Sequence, residues 1–147
     1  MGKILAVASA GGHWKQMMKL ASAFPCESTI YVTTGKGLAE QNNINNHYLL
    51  IDANRDKPWQ VLILFWKVSK LIIKQRPSHI VSTGAAPGLM CILLGRLIGA
   101  KTLWIDSIAN GEKLSMCGNL SKKIAHKTLS QWQHLSDKNV EFHGAVV

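Results

Sequence analysis

Acidic side chains are scarce in this chain: 8 Asp and Glu stand against 17 Lys and Arg in 147 residues, a formal net charge of +9. That imbalance disfavours cationic partners and favours anionic ones, such as nucleic acid, sugar nucleotides, pyrophosphates or an acidic membrane face. Cysteine is also sparse. Cys26, Cys91 and Cys117 form no CxxC pair and have no histidine at zinc spacing, which argues against a metal site and a disulfide framework. No secretory leader is visible, because residues 9–13 end the apolar run of residues 4–8 too early. Reduced thiols and no leader point to the cytoplasm. Residues 59–73, cut by Lys67 and Lys70, and residues 89–100, cut by Arg96, fall short of the roughly 20 apolar residues of a membrane span. Missing too are GxGxxG and GK[ST], which removes the two commonest nucleotide-binding loops. There is no internal repeat, low-complexity tract or linker.

What is present reads as one folded domain, residues 1–147, with 47% apolar and 17% charged residues. Strand and helix alternate. Strands are expected over residues 3–9, 28–33, 47–51, 79–82, 101–105, 127–130 and 140–143. Helices are expected over residues 14–23, 38–43, 59–75, 88–98 and 121–126, with a Gly/Pro loop at 83–87. In the long helix, Leu62, Phe65, Trp66, Ser69, Ile72 and Ile73 share one face by i, i+3, i+4, i+7 spacing, and this face is expected to be buried. The alternation implies an α/β, Rossmann-like, doubly wound parallel sheet with right-handed crossovers.

In such a sheet, ligands bind at the carboxyl ends of the strands where the strand order reverses. Ser9-Ala10-Gly11-Gly12-His13-Trp14 follows the first strand directly. Gly11 and Gly12 either make a tight turn or let a phosphate or developing oxyanion approach a positive helix terminus. His13 either bonds a nearby loop or takes a proton from a sugar hydroxyl. Ser82-Thr83-Gly84, after the fourth strand, should face Gly11 across the same crevice. There Ser82 and Thr83 could hold a diphosphate or sugar, or merely cap a helix. Asp106-Ser107 closes the fifth strand, where the carboxylate could orient a hydroxyl, hold His13 in one tautomer, or cap the next segment. Trp59 and Trp66 beside Lys67, Lys70 and Lys74 resemble an interfacial helix, although core packing also explains the apolar face. Gln131-Trp132 could anchor a partner.

These pieces, in this order, resemble the N-terminal half of a GT-B glycosyltransferase, and in particular the acceptor subunit of split transferases. The resemblance spans nearly the whole chain. It rests on Ser9-Ala10-Gly11-Gly12-His13, Lys74-Gln75-Arg76-Pro77, Ser82-Thr83-Gly84, Leu103-Trp104-Ile105-Asp106-Ser107-Ile108-Ala109 and Ser130-Gln131-Trp132. In eukaryotes that subunit recruits the catalytic partner that adds the second N-acetylglucosamine to a dolichol-diphosphate-linked sugar. Bacterial relatives act in capsule and exopolysaccharide assembly, and the lipid-II-forming transferase is more distant.

The resemblance implies a division of labour. This chain would bind a lipid-diphosphate-sugar acceptor through Gly11, Gly12, Ser82, Thr83, Gly84 and Ser107. A second glycosyltransferase subunit would carry the UDP-sugar donor site, and this chain alone would be inactive. His13 and Asp106 would be the catalytic residues. Asp106 departs from the family, where a glutamate is expected. No metal or cofactor is implied. Attachment would be peripheral, on the inner face of the cell membrane and to an anionic surface, through Trp59, Trp66, Lys67, Lys70 and Lys74. Gln131 and Trp132 would meet the partner. The rivals are a non-catalytic recruiting partner, a nucleic-acid-binding α/β protein, which lacks a recognition motif here, and a free-standing enzyme on a small phosphorylated substrate.

Overall fold

The first strand explains the architecture. Leu5, Ala6 and Val7 are all fully buried, so β1 (Ile4–Ala8) is covered on both faces. A near-continuous apolar strand of this kind belongs in the middle of a parallel sheet. The computed structural model describes residues 2–146; Met1 and Val147, the ends of the expected 1–147 domain, lie outside the described residues. After β1 come α1 (Gly12–Leu20), β2 (Thr29–Thr33), α2 (Leu38–Gln41), β3 (His47–Leu49) and α3 (Pro58–Gln75). There follow β4 (His79–Gly84), α4 (Ala85–Leu97), β5 (Lys101–Ile105), α5 (Met116–Ile124), β6 (Lys127–Ser130) and β7 (Glu141–Phe142). The strands pair in parallel in the order β3-β2-β1-β4-β5-β6-β7. The expected doubly wound α/β sheet is therefore present, with the order reversing between β1 and β4.

Each sheet face has its own core. On one, Trp14 and Met17 of α1 and Ala39 of α2 pack on Ala6, Ala8, Tyr31, Val81 and Ile105. On the other, Leu64, Val68, Leu71 and Ile72 of α3 and Cys91 of α4 cover Leu5, Val7, Ile30, Val32 and Ile80. α5 packs beside α4. At about 2 kcal/mol per fully buried aliphatic side chain, the four α3 residues fix that helix on the sheet.

The buried face of α3 is not the expected one. Of Leu62, Phe65, Trp66, Ser69, Ile72 and Ile73, only Ile72 is buried. Trp59, Leu62, Trp66 and Ile73 are 57%, 70%, 58% and 65% exposed and form a stripe opposite the core. Both stripes have helical spacing; the aliphatic one packs on the sheet and the tryptophans face outward.

Element boundaries also differ, notably at α4 and α5. The expected loop at 83–87 is absent, because β4 runs to Gly84 and α4 starts at Ala85. Pro87 sits within the first turn of that helix, where its missing N–H is tolerated. α5 starts at Met116 rather than at 121 because Ser115 caps it, its Oγ accepting from Gly118 N at 2.8 Å.

One part of the fold is pH-sensitive. His126 Nδ1 accepts from the Thr102 N–H at 3.2 Å and lies 3.0 Å from Thr102 Oγ1, which in turn accepts from His126 N–H at 3.0 Å. Desolvation, then the charges of Arg96 and Lys101, hold the imidazole below its ordinary 6.5. A lowered folded value means that protonation favours the unfolded chain. The contribution is complete above 6.5 and is lost as pH falls toward and through the folded value. Urea midpoints should therefore drop on acidification below pH 6.5, and His126→Gln should make that drop shallower. An identical pH profile in the variant would contradict the assignment.

Candidate active site

α1 and α4 both begin at the carboxyl edge of the sheet, beside the neighbouring strands β1 and β4. Neither helix has a side-chain cap: Gly11 precedes α1 and Gly84 precedes α4. Free N–H groups of two helices therefore meet at the switch point, a setting that favours an anion. Gly11 has φ 80°, which glycine adopts without cost. A Cβ on Gly12 would meet nothing within 4 Å, so packing within the chain does not explain its lack of a side chain.

His13, the second residue of α1, is half-buried at this point. Its Nδ1 lies 2.9 Å from the Thr83 carbonyl oxygen, and Thr83 Oγ1 donates to the His13 carbonyl at 2.8 Å. The sequence placed Gly11, Gly12, His13, Ser82, Thr83 and Gly84 at one crevice, and the structure brings them together.

Their individual roles differ from expectation. The Thr83 hydroxyl is spent on His13, and Ser82 Oγ accepts from Gly84 N at 3.2 Å. Both residues are fully buried, which takes their hydroxyls out of reach of a diphosphate or sugar. Gly84 lies beneath the imidazole rather than beside an open cradle: a Cβ there would stand 2.2 Å from His13 Nδ1. Ser107 remains half-buried beyond β5, and its Oγ accepts from Ala109 N at 3.2 Å.

Asp106 does not hold His13. It is 2% exposed, and its two oxygens accept from four donors. Oδ1 takes Trp104 Nε1 at 3.1 Å and Ser115 Oγ at 2.6 Å; Oδ2 takes Ser115 N at 2.9 Å and Asn110 Nδ2 at 3.2 Å. Its carbonyl also accepts from Gln131 Nε2 at 2.9 Å and Gln16 Nε2 at 3.4 Å. A carboxylate so fully engaged organises the loop and helix after β5, and it has no free lone pair for proton transfer.

Gln131 likewise faces inward, with Oε1 accepting from Val146 N at 2.6 Å, so it does not present itself to a partner. Trp132 is partly exposed and donates from Nε1 to the Ile108 carbonyl at 2.8 Å. His134, which the sequence did not single out, bonds from Nε2 to the Gly111 carbonyl at 2.7 Å. Together they pin the loop at 107–113. Only their aromatic character signalled this role. Burial pushes the Cys91 thiol up to about 12, which marks a core residue rather than a nucleophile. Among the described residues no group of three His, Cys, Asp or Glu side chains could hold a metal ion.

No protein-family model matches the chain. In solved structures the fold recurs in MurG of Acinetobacter baumannii, with a TM-score of 0.81 and 12% identity over 100% of this chain and 46% of that one. The chain has the fold of the N-terminal half of a GT-B glycosyltransferase. A UDP-N-acetylglucosamine 2-epimerase from Rickettsia bellii follows at 0.74, with 13% identity over 99% of this chain and 45% of that one. A glycosyltransferase from Rickettsia africae ESF-5 gives 0.68 and 15% identity over 97% and 42%. The chain thus spans less than half the length of these structures. In sequence it is 22% identical, over 175 residues, to the UDP-N-acetylglucosamine transferase subunit ALG14 of Yarrowia lipolytica (strain CLIB 122 / E 150), covering 99% of this chain and 81% of that subunit. The resemblance to a split transferase subunit, read from the residues, thus has a counterpart in the sequence likeness to ALG14, and the expected GT-B half-fold has one in MurG.

Removal of the Asp106 carboxylate should act on stability. Asp106→Ala leaves buried donors from Trp104, Asn110 and Ser115 unpaired, at a cost on the order of 3 kcal/mol. Chemical denaturation should show that loss, and unchanged stability would contradict the structural role.

Proposed function

We propose that this chain, as a single acceptor-binding domain, is the membrane-peripheral subunit of a two-chain, UDP-sugar-dependent glycosyltransferase. Its acceptor is a lipid-diphosphate-linked sugar of bacterial surface polysaccharide assembly, and a second subunit carries the donor site. The observation that carries this reading is His13 seated at the β1–β4 switch point between two uncapped helix N-termini. The N–H groups suit the acceptor diphosphate, and the imidazole suits its hydroxyl. His13 takes the hydroxyl proton while that oxygen attacks the anomeric carbon. The bond from that carbon to the nucleoside diphosphate breaks, and the diphosphate leaves with its electron pair. Glycosyl transfer is favoured over mere recruitment because the histidine sits at the binding edge between two helix N-termini.

A membrane role draws support from the outer surface of α3, α4 and α5. These helices carry Lys67, Lys70, Lys74, Arg96, Lys122 and Lys123 and no acidic residue. The tryptophan stripe of α3 lies on the same side, and Leu93, Leu97 and Leu120 of its neighbours are also exposed. Lys70 Nζ stands 3.5 Å from the centre of the Trp66 ring, so cation and aromatic surface are presented together. No helix among the described residues is long and apolar enough to cross a membrane. A basic-apolar face of this kind lies on an anionic bilayer.

Two outcomes are expected. His13→Ala should lower sugar transfer to a lipid-linked acceptor at least about tenfold while binding of the second subunit persists; normal turnover would remove His13 from the reaction. Lys70→Glu with Lys74→Glu changes the local charge by four, or about 4 kcal/mol near an anionic surface. Co-sedimentation with phosphatidylserine vesicles should collapse, and unchanged binding would sink the membrane assignment.

A further inference from the structure

The end of β4 is irregular in a way that serves His13. Along the β1–β4 pair, Val7 aligns with Ser82 but Ala8 aligns with Gly84, so the register shifts at Thr83. A bulge turns a strand locally and re-aims what it carries. Here the Thr83 carbonyl meets His13 Nδ1 and the Thr83 hydroxyl meets the His13 carbonyl. Gly84 then adopts φ 147° and ψ 175°, a region essentially reserved for glycine. Its bare backbone supports the ring: a Cβ would lie 2.2 Å from Nδ1 and 2.3 Å from Cε1 of His13. Those atoms belong to a ring whose own helix is tied to Thr83, so the imidazole cannot move aside while both bonds persist.

We infer that the Thr83–Gly84 bulge is a positioning device that fixes the tautomer and aim of His13. A carbonyl oxygen only accepts, so the neutral ring must carry its proton on Nδ1. The lone pair is then on Nε2, which has no hydrogen bond from the described residues. That nitrogen is the one free to take the acceptor proton, and the role that the sequence suggested for Asp106 falls to a backbone carbonyl. Thr83 and Gly84 touch no substrate in this scheme; they act through His13. The inference rests on the proposed transferase role of His13 for its functional meaning, but not for its structural content.

The first test needs no variant. Long-range 1H–15N correlation of the full chain labelled at histidine nitrogen, at mildly alkaline pH and assigned with His13→Gln, should show His13 protonated at Nδ1 only. A ring protonated at Nε2, or one averaging rapidly between tautomers, overturns the inference. In the two-subunit transfer assay, Gly84→Ala should lower kcat at least about tenfold with acceptor KM within about threefold, and adding His13→Ala should cost nothing more. Additive losses, or a change confined to KM, also overturn it. If no transfer is found but the Nδ1 tautomer is, the transferase reading fails alone. Transfer with the wrong tautomer removes only the positioning role.

Discussion

The site depends on one reciprocal contact. His13 and Thr83 exchange hydrogen bonds of 2.9 and 2.8 Å between the start of α1 and the end of β4. Seventy residues of chain separate them, including the whole crossover that carries the sheet from one face to the other. The contact can form only because β1 and β4 are neighbours at the point where the strand order reverses. It fixes the imidazole beside the N-termini of α1 and α4, where the preceding residues are glycines with no capping side chain. A histidine in the same sequence position on an unrestrained loop would lack both orientation and electrostatic setting.

Asp106 supplies the second constraint, at the adjoining strand end. Its carboxylate gathers the indole of Trp104, the cap of α5 and the side chain of Asn110, while its carbonyl receives Gln16 from the opposite face and Gln131 from beyond β6. A Cβ on Gly118 would lie 2.7 Å from Oδ1, so the carboxylate and the first turn of α5 are packed as one unit. At this edge of the sheet the end of β4 is thus held by a histidine–backbone pair and the end of β5 by a buried carboxylate.

The fold was largely legible in the sequence because strand and helix alternate and because each buried strand reads as a short apolar run. The crevice was legible as well, since topology alone places Gly11, His13, Ser82 and Gly84 at one edge. Hydrogen-bond partners were not. Nothing in the residue pattern tells whether Ser82 and Thr83 offer their hydroxyls outward or use them within the chain. The same ambiguity applies to Asp106, whose partners lie 2, 4 and 9 residues away but meet it only once the loop has folded back. In α3 the periodicity was real but double. Two apolar stripes of equal spacing cannot be ranked from the sequence alone: Trp66 fits both a buried face and an interfacial one, and in the structure it faces outward. The outward stripe carries tryptophans and lysines together.

On the proposed function, this chain supplies one half of a glycosyl-transfer site. The direct measurement is transfer of labelled sugar from a panel of UDP-sugars to lipid-linked acceptors in membranes. This chain alone, the candidate donor-binding subunit alone, and both together should be compared. Transfer is expected only with both. Transfer by the donor-binding subunit alone at the full rate would reduce this chain to recruitment, and transfer by this chain alone would contradict the proposed half-site.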